Sequence, residues 1–147
     1  MNCFFLGKTK DTDRCSREGT VCFTIPELGV LFKTRYFGSS FECEYMSLLT
    51  LLVFIERNSE IFNQHKINIY TDNPLIVHQM NKAGFCSQDI RRHRDKALTY
   101  RQKFSYSLSW IPSYENQARN LALKQSTEDH QFNPNSDILA RLNQDQG

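Results

Sequence analysis

The stretch INIYTDNPLIVHQM, residues 67–80, decides how the rest of the chain is read. Its first half alternates Ile67 and Ile69 with polar neighbours, the period-two pattern of a half-buried strand. Its second half opens on Asn73-Pro74, a helix N-cap followed by proline at the first helical position, where the missing N–H is not needed. A strand therefore runs directly into a helix, and Asp72 stands at the joint. A lone Asp in such a turn most often braces the turn or caps the helix. The other role open to it is metal ligation, and that requires further carboxylates converging from elsewhere in the fold.

Upstream, residues 3–7, 20–25 and 28–36 are rich in Phe, Val, Cys and Leu and are separated by polar or Pro/Gly-bearing joints. They predict three consecutive antiparallel strands, with KTKDTDRCSREG (8–19) as a polar loop and Pro26-Glu27 as a tight hairpin. Residues 41–57 carry Met46, Leu48, Leu49, Leu51, Leu52, Phe54 and Ile55, too dense for one narrow stripe. This predicts a long central helix, mostly buried and capped by Ser39 or Ser40.

Downstream, Gly84 ends the helix that follows Asp72. Residues 88–103 form the next helix, with Ile90, Ala97, Leu98 and Phe104 inward and Arg91, Arg92, Arg94, Lys96, Arg101 and Lys103 in water. Residues 106–111 alternate as a last strand, Pro112 stops it, and residues 115–124 give a short helix bearing Ala118, Leu121 and Ala122. The expected organisation is one domain over residues 1–125 and a loose polar tail over 126–147, with a turn at DILARL. Strands in this order imply an α/β fold on a mixed five-stranded sheet, with ligands near the carboxyl ends of its strands.

Composition agrees with a globular domain: 147 residues, 39% hydrophobic and 12% aromatic, enough to bury a core. The net charge of +2 is too small to argue for a polyanionic partner from the whole chain. Local clustering does so instead, in RRHRDKALTYRQK (91–103). Such a run is often only a solvated face. Cys3, Cys15, Cys22, Cys43 and Cys86 are scattered without a CxxC pair, and the four histidines show no ligand spacing, so neither a disulfide framework nor a zinc site is expected. Cys43 and Cys86 read as buried apolar positions and Trp110 as core. The expected setting is a reducing cytoplasm, without a signal peptide or membrane segment.

In element order and at three motifs the chain resembles the ribonuclease H family. SSFECEYMSLLTLLVFI (39–55) resembles the start of that family's long helix, with Glu44 at the catalytic position, although Glu42 competes for the role of first-turn acid. IYTDNPLIVHQM (69–80) resembles the end of its fourth strand, with Asp72 at the second catalytic position. LSWIPSYENQARNLA (108–122) resembles its fifth strand and last helix. The resemblance implies a ribonuclease H-like sheet and cleavage of the RNA strand of an RNA/DNA hybrid, using two Mg2+ or Mn2+ ions held by four carboxylates.

Two of those four are missing from the pattern. The first-strand position falls on Leu6 or Gly7 and the last-helix position on Arg119, while the family's mobile histidine is replaced by Ser113 or Tyr114. A guanidinium ~5 Å from a dication is repelled by roughly 6 kcal/mol at an effective dielectric of ~20. Arg119 is therefore expected to pair with Asp72 or Glu44 and neutralise them. Asp11, Asp13 and Glu115 are the possible substitute ligands.

The sequence predicts a catalytically degenerate ribonuclease H-like domain that binds hybrid or duplex nucleic acid through its basic helix, or else a protein partner. The alternatives are an active metal-dependent ribonuclease H with an altered carboxylate set, and a structural domain of a parent polyprotein or polymerase-like assembly.

Overall fold

The computed structural model describes residues 1–9, 17–82 and 86–123. The Phe- and Val-rich runs become β1 (Asn2–Thr9), β2 (Glu18–Ile25) and β3 (Val30–Phe37), joined antiparallel. The alternating Ile67-Asn-Ile69 run becomes the short β4 (Asn68–Thr71), and β5 is Ser107–Trp110. Both are parallel additions, β4 beside β1 and β5 beside β4, giving the order β3-β2-β1-β4-β5. The mixed five-stranded sheet expected from the sequence is the one observed.

β1 lies at the centre, covered on both faces, so it reads as an unbroken apolar run. Cys3 and Phe5 join the main core with Tyr45, Leu48, Leu51, Leu52 and Ile55 of α1 (Ser40–Arg57). Phe4 and Leu6 point the other way, into a small cluster with Cys22 and Ala118 of α5 (Gln117–Leu123). The two helices thus sandwich one strand.

α1 begins with a capping box: Ser39 Oγ accepts from the Glu42 N–H, and the Glu42 carboxyl accepts from the Ser39 N–H. Glu42 therefore takes the first-turn role that the sequence left open between it and Glu44. After α1 come α2 (Ser59–Phe62), α3 (Pro74–Lys82) and α4 (Gln88–Thr99). α2 was not anticipated; it is one turn long and held by the buried Phe62.

Several boundaries differ from the sequence reading for local reasons. The joint between β2 and β3 is a 3₁₀ turn, Pro26–Leu28, closed by Gly29 at φ 63, so β3 starts two residues later than expected. α4 stops at Thr99, whose hydroxyl donates back to the Lys96 carbonyl, and the chain tightens into a 3₁₀ turn over Tyr100–Gln102. α5 starts at Gln117 because Asn116 caps it. The expected roles of Gly84 and of the tail 126–147 lie outside the described residues.

Candidate functional site

At the end of β4 the turn resolves into two neighbouring jobs. Asn73 is the cap of α3, its Oδ1 accepting from the Leu75 N–H, and Thr71 Oγ1 accepts from the Asn73 N–H. Asp72 is thereby released from capping, and its side chain, 6% exposed, turns towards α5. There Arg119 donates to Asp72 Oδ2 through both Nε (3.2 Å) and Nη2 (2.7 Å). The pairing expected of Arg119 is present, and its partner is Asp72.

Three further groups hold this pair in place. Asn116, 1% exposed, accepts from the Ala118 N–H and donates to the Phe5 carbonyl, tying the start of α5 to the central strand. The Arg119 N–H binds the Asn116 carbonyl. The Trp110 indole nitrogen donates to the Asp72 carbonyl at 3.3 Å. Trp110 was expected in the core, and this is corrected: it is 51% exposed and braces the turn from outside. Asn116 had no recognised role in the sequence, although an Asn two residues ahead of an Ala is a legible cap. Asn116→Ala removes the cap and leaves a buried carbonyl unpaired, which is expected to cost about 2 kcal/mol in urea denaturation.

Glu44 lies deeper, 7% exposed. Its carboxyl accepts from the Gly7 N–H, and Oε2 is buried without a partner among the described residues. Burial pushes its pKa up to about 8; the Asp72 charge pushes the same way, while the Gly7 bond and Arg119 oppose it. Of Leu6 and Gly7, only position 6 has room for a side chain. A Cβ on Gly7 would fall inside 3.0 Å of the Cys43 carbonyl and the Glu44 amide. Two residues on from the Phe4–Tyr70 pair of the β1–β4 ladder, the chains reach Leu6 and Asp72.

A divalent metal in the expected mode does not fit these residues. One carboxylate is engaged by a guanidinium, the second is buried and bonded to the Gly7 N–H, and the strand position with room for an acid carries Leu6. Among the described residues no three His, Cys, Asp or Glu side chains gather into a metal-binding group. Glu115 is exposed in a 3₁₀ turn, Ser113–Glu115, and does not gather with Glu44 and Asp72 into such a group. Asp11 and Asp13 lie outside them.

The basic helix divides into two groups. Arg91, Arg92 and Lys96 are exposed and form no ion pair among the described residues. Arg94 is mostly covered, its side chain 14% exposed, and binds Asp95. That side chain was expected to stand in water, and the correction follows from its place on the half-buried side of α4. Arg101 donates to the Met80 carbonyl and to Asn81 Oδ1 and lies over the Tyr106 ring, while Lys103 pairs with Glu56 at 2.9 Å. Cys43 and Cys86 are buried as expected, and Cys3, Cys22, Cys43 and Cys86 are unpaired. No helix among the described residues is long and apolar enough to cross a membrane.

Comparison with solved structures agrees with the fold. RNase H1 from the halophilic archaeon Halobacterium salinarum is similar with a TM-score of 0.67 at 20% identity, covering 85% of this chain and 98% of that one. LC11-RNase H1, isolated from compost by a metagenomic approach, is similar with a TM-score of 0.68 at 15% identity, covering 82% and 90%. The same LC11 enzyme in complex with an RNA/DNA hybrid gives a TM-score of 0.59 at 14% identity, over 79% of this chain and 88% of that one. No family model and no curated protein sequence matches the chain. The protein has a ribonuclease H-like fold.

Proposed function

We propose that this chain is a ribonuclease H-like nucleic-acid-binding domain that does not cleave its ligand, with an RNA/DNA hybrid as the favoured partner. The observation that carries the reading is the Arg119–Asp72 ion pair at 2.7 Å, which places a fixed cation against one of the two retained carboxylates. Leu6 at the first-strand position and the buried Glu44 support the same conclusion. Fold alone does not specify a ligand. Support for the hybrid comes from the complex formed by LC11-RNase H1 on the same fold and from the exposed cations of α4.

The first test is a cleavage assay on an RNA/DNA hybrid in Mg2+ and in Mn2+, comparing wild type with Asp72→Asn. Neither protein should cut. Metal-dependent cleavage lost in Asp72→Asn would establish the active alternative instead, with an altered carboxylate set.

Binding should be salt-dependent, because each phosphate neutralised by a lysine or arginine releases counterions. Replacing Arg91, Arg92 and Lys96 together by Ala is expected to flatten the log affinity against log salt slope by roughly 2 to 3. The same change at Arg101 and Lys103 should do less, since these two are already engaged within the protein. Equal effects of the two sets would place the interface elsewhere than the open face of α4.

A further inference from the structure

The guanidinium of Arg119 is only half used. Its Nε and Nη2 both address Asp72 Oδ2, so the contact lies along one edge of the planar fork, and the side chain remains 36% exposed. A guanidinium has five N–H donors in fixed directions, and those on the opposite edge point away from the carboxylate. Among the described residues the only bonds made by this side chain are the two to Asp72. Asn116 anchors the start of α5, and with it the Arg119 backbone, to β1, and Trp110 donates to the Asp72 backbone carbonyl. It is a positioned cation with one open edge.

The charge at this end of the sheet, among the described residues, follows from the same groups. Four carboxylates at the end of a sheet would repel a phosphodiester and would need bound cations before accepting one. Here Leu6 carries no charge, Asp72 is balanced by Arg119, and Glu44 is buried below the surface. Of the charged groups here Arg119 is the most open, its side chain 36% exposed against 6% for Asp72, and guanidinium groups bind phosphate oxygens by directed, charge-assisted hydrogen bonds.

Resting on the nucleic-acid reading above, we propose that Arg119 is itself a phosphate-binding residue: its open edge takes a backbone oxygen of the hybrid, and binding there needs no divalent cation. Asp72 is then a positioning residue that aims the guanidinium.

The test is titration of a short labelled RNA/DNA hybrid at matched ionic strength, with Mg2+ or with EDTA. Wild-type affinity should agree within about twofold between the two, and binding that requires Mg2+ would overturn the proposal. The double variant Arg119→Met with Asp72→Asn removes both charges together, so that Asp72 is not left as a stranded carboxylate. It should bind about 5- to 10-fold more weakly at low salt, with a log–log salt slope smaller by roughly one. Wild-type affinity and slope in a folded double variant would overturn the assignment. Should that variant fail to fold, Arg119→Lys decides: a single ammonium keeps Asp72 paired but has no second edge to offer, so hybrid affinity should fall several-fold, and wild-type affinity in that folded variant would overturn the proposal. Absence of any hybrid binding by wild type removes the nucleic-acid reading itself, while wild-type binding insensitive to these substitutions removes only the role of Arg119.

Discussion

Gly7→Ala is expected to damage the fold more than any other single methyl group added to it. The added carbon would collide with the backbone of α1 at Cys43 and Glu44, and neither the central strand nor the buried helix has a flexible side chain there that could move aside. Overpacking against backbone on both sides is expected to cost on the order of 4 kcal/mol or more, against a total stability of about 5–15 kcal/mol for an ordinary domain. A fall in Tm of roughly 10 °C or more should follow, if the variant accumulates folded at all. Gly29→Ala provides the control. Gly29 has a positive φ but open space around its Cβ position, so its replacement should cost only about 1 kcal/mol. Equal losses in the two variants would show that β1 and α1 are not in the close contact described.

The second large effect is a pH dependence carried by Glu44. Its pKa is raised from the usual 4.5 to about 8, chiefly by burial. Between those values the folded chain keeps a proton that the unfolded chain has already released. The contribution is therefore fully present below about pH 4.5, declines as pH rises by roughly 1 kcal/mol per unit, and is gone above about pH 8. Glu44→Gln is neutral throughout and should lose that decline. Denaturant titrations should find the variant close to wild type at about pH 5 and more stable than wild type by a few kcal/mol at about pH 8. Parallel pH profiles for the two proteins would mean that Glu44 is ionised in the folded state.

Much of this was legible in the sequence because the signals were local. Phe-, Val- and Cys-rich runs marked the first three strands, dense aliphatics marked α1, and Asn73-Pro74 marked the start of α3. The position of Arg119 in its motif led to the expectation of a pair with Asp72 or Glu44, and the structure selects Asp72.

The misreadings had other physical causes. Leu6 and Gly7 were indistinguishable in sequence, since the distance between the β1 and α1 backbones separates them and no residue type encodes that distance. Trp110 read as core because an aromatic residue at a strand end looks the same whether it faces inward or braces a turn. The six cations around α4 looked alike because the partners that engage Arg101 and Lys103 lie 20 and 47 residues away. The hairpin and last-helix boundaries moved through turn chemistry at Gly29 and Asn116, each acting over two or three residues.

The Asp72–Arg119 pair also bears on how this surface could change over time. Removing Arg119 alone strands a carboxylate whose side chain is 6% exposed, a loss of about 2 kcal/mol once the partial exposure of its partner is allowed for. Placing an acid at position 119 instead would set two negative groups against each other before any cation could bind, and an acid at position 6 would add a third. Each single change towards a carboxylate cluster passes through a less stable protein, because these positions are coupled and must change together. The ion pair thus ties two distant positions together, so that neither is free to change alone.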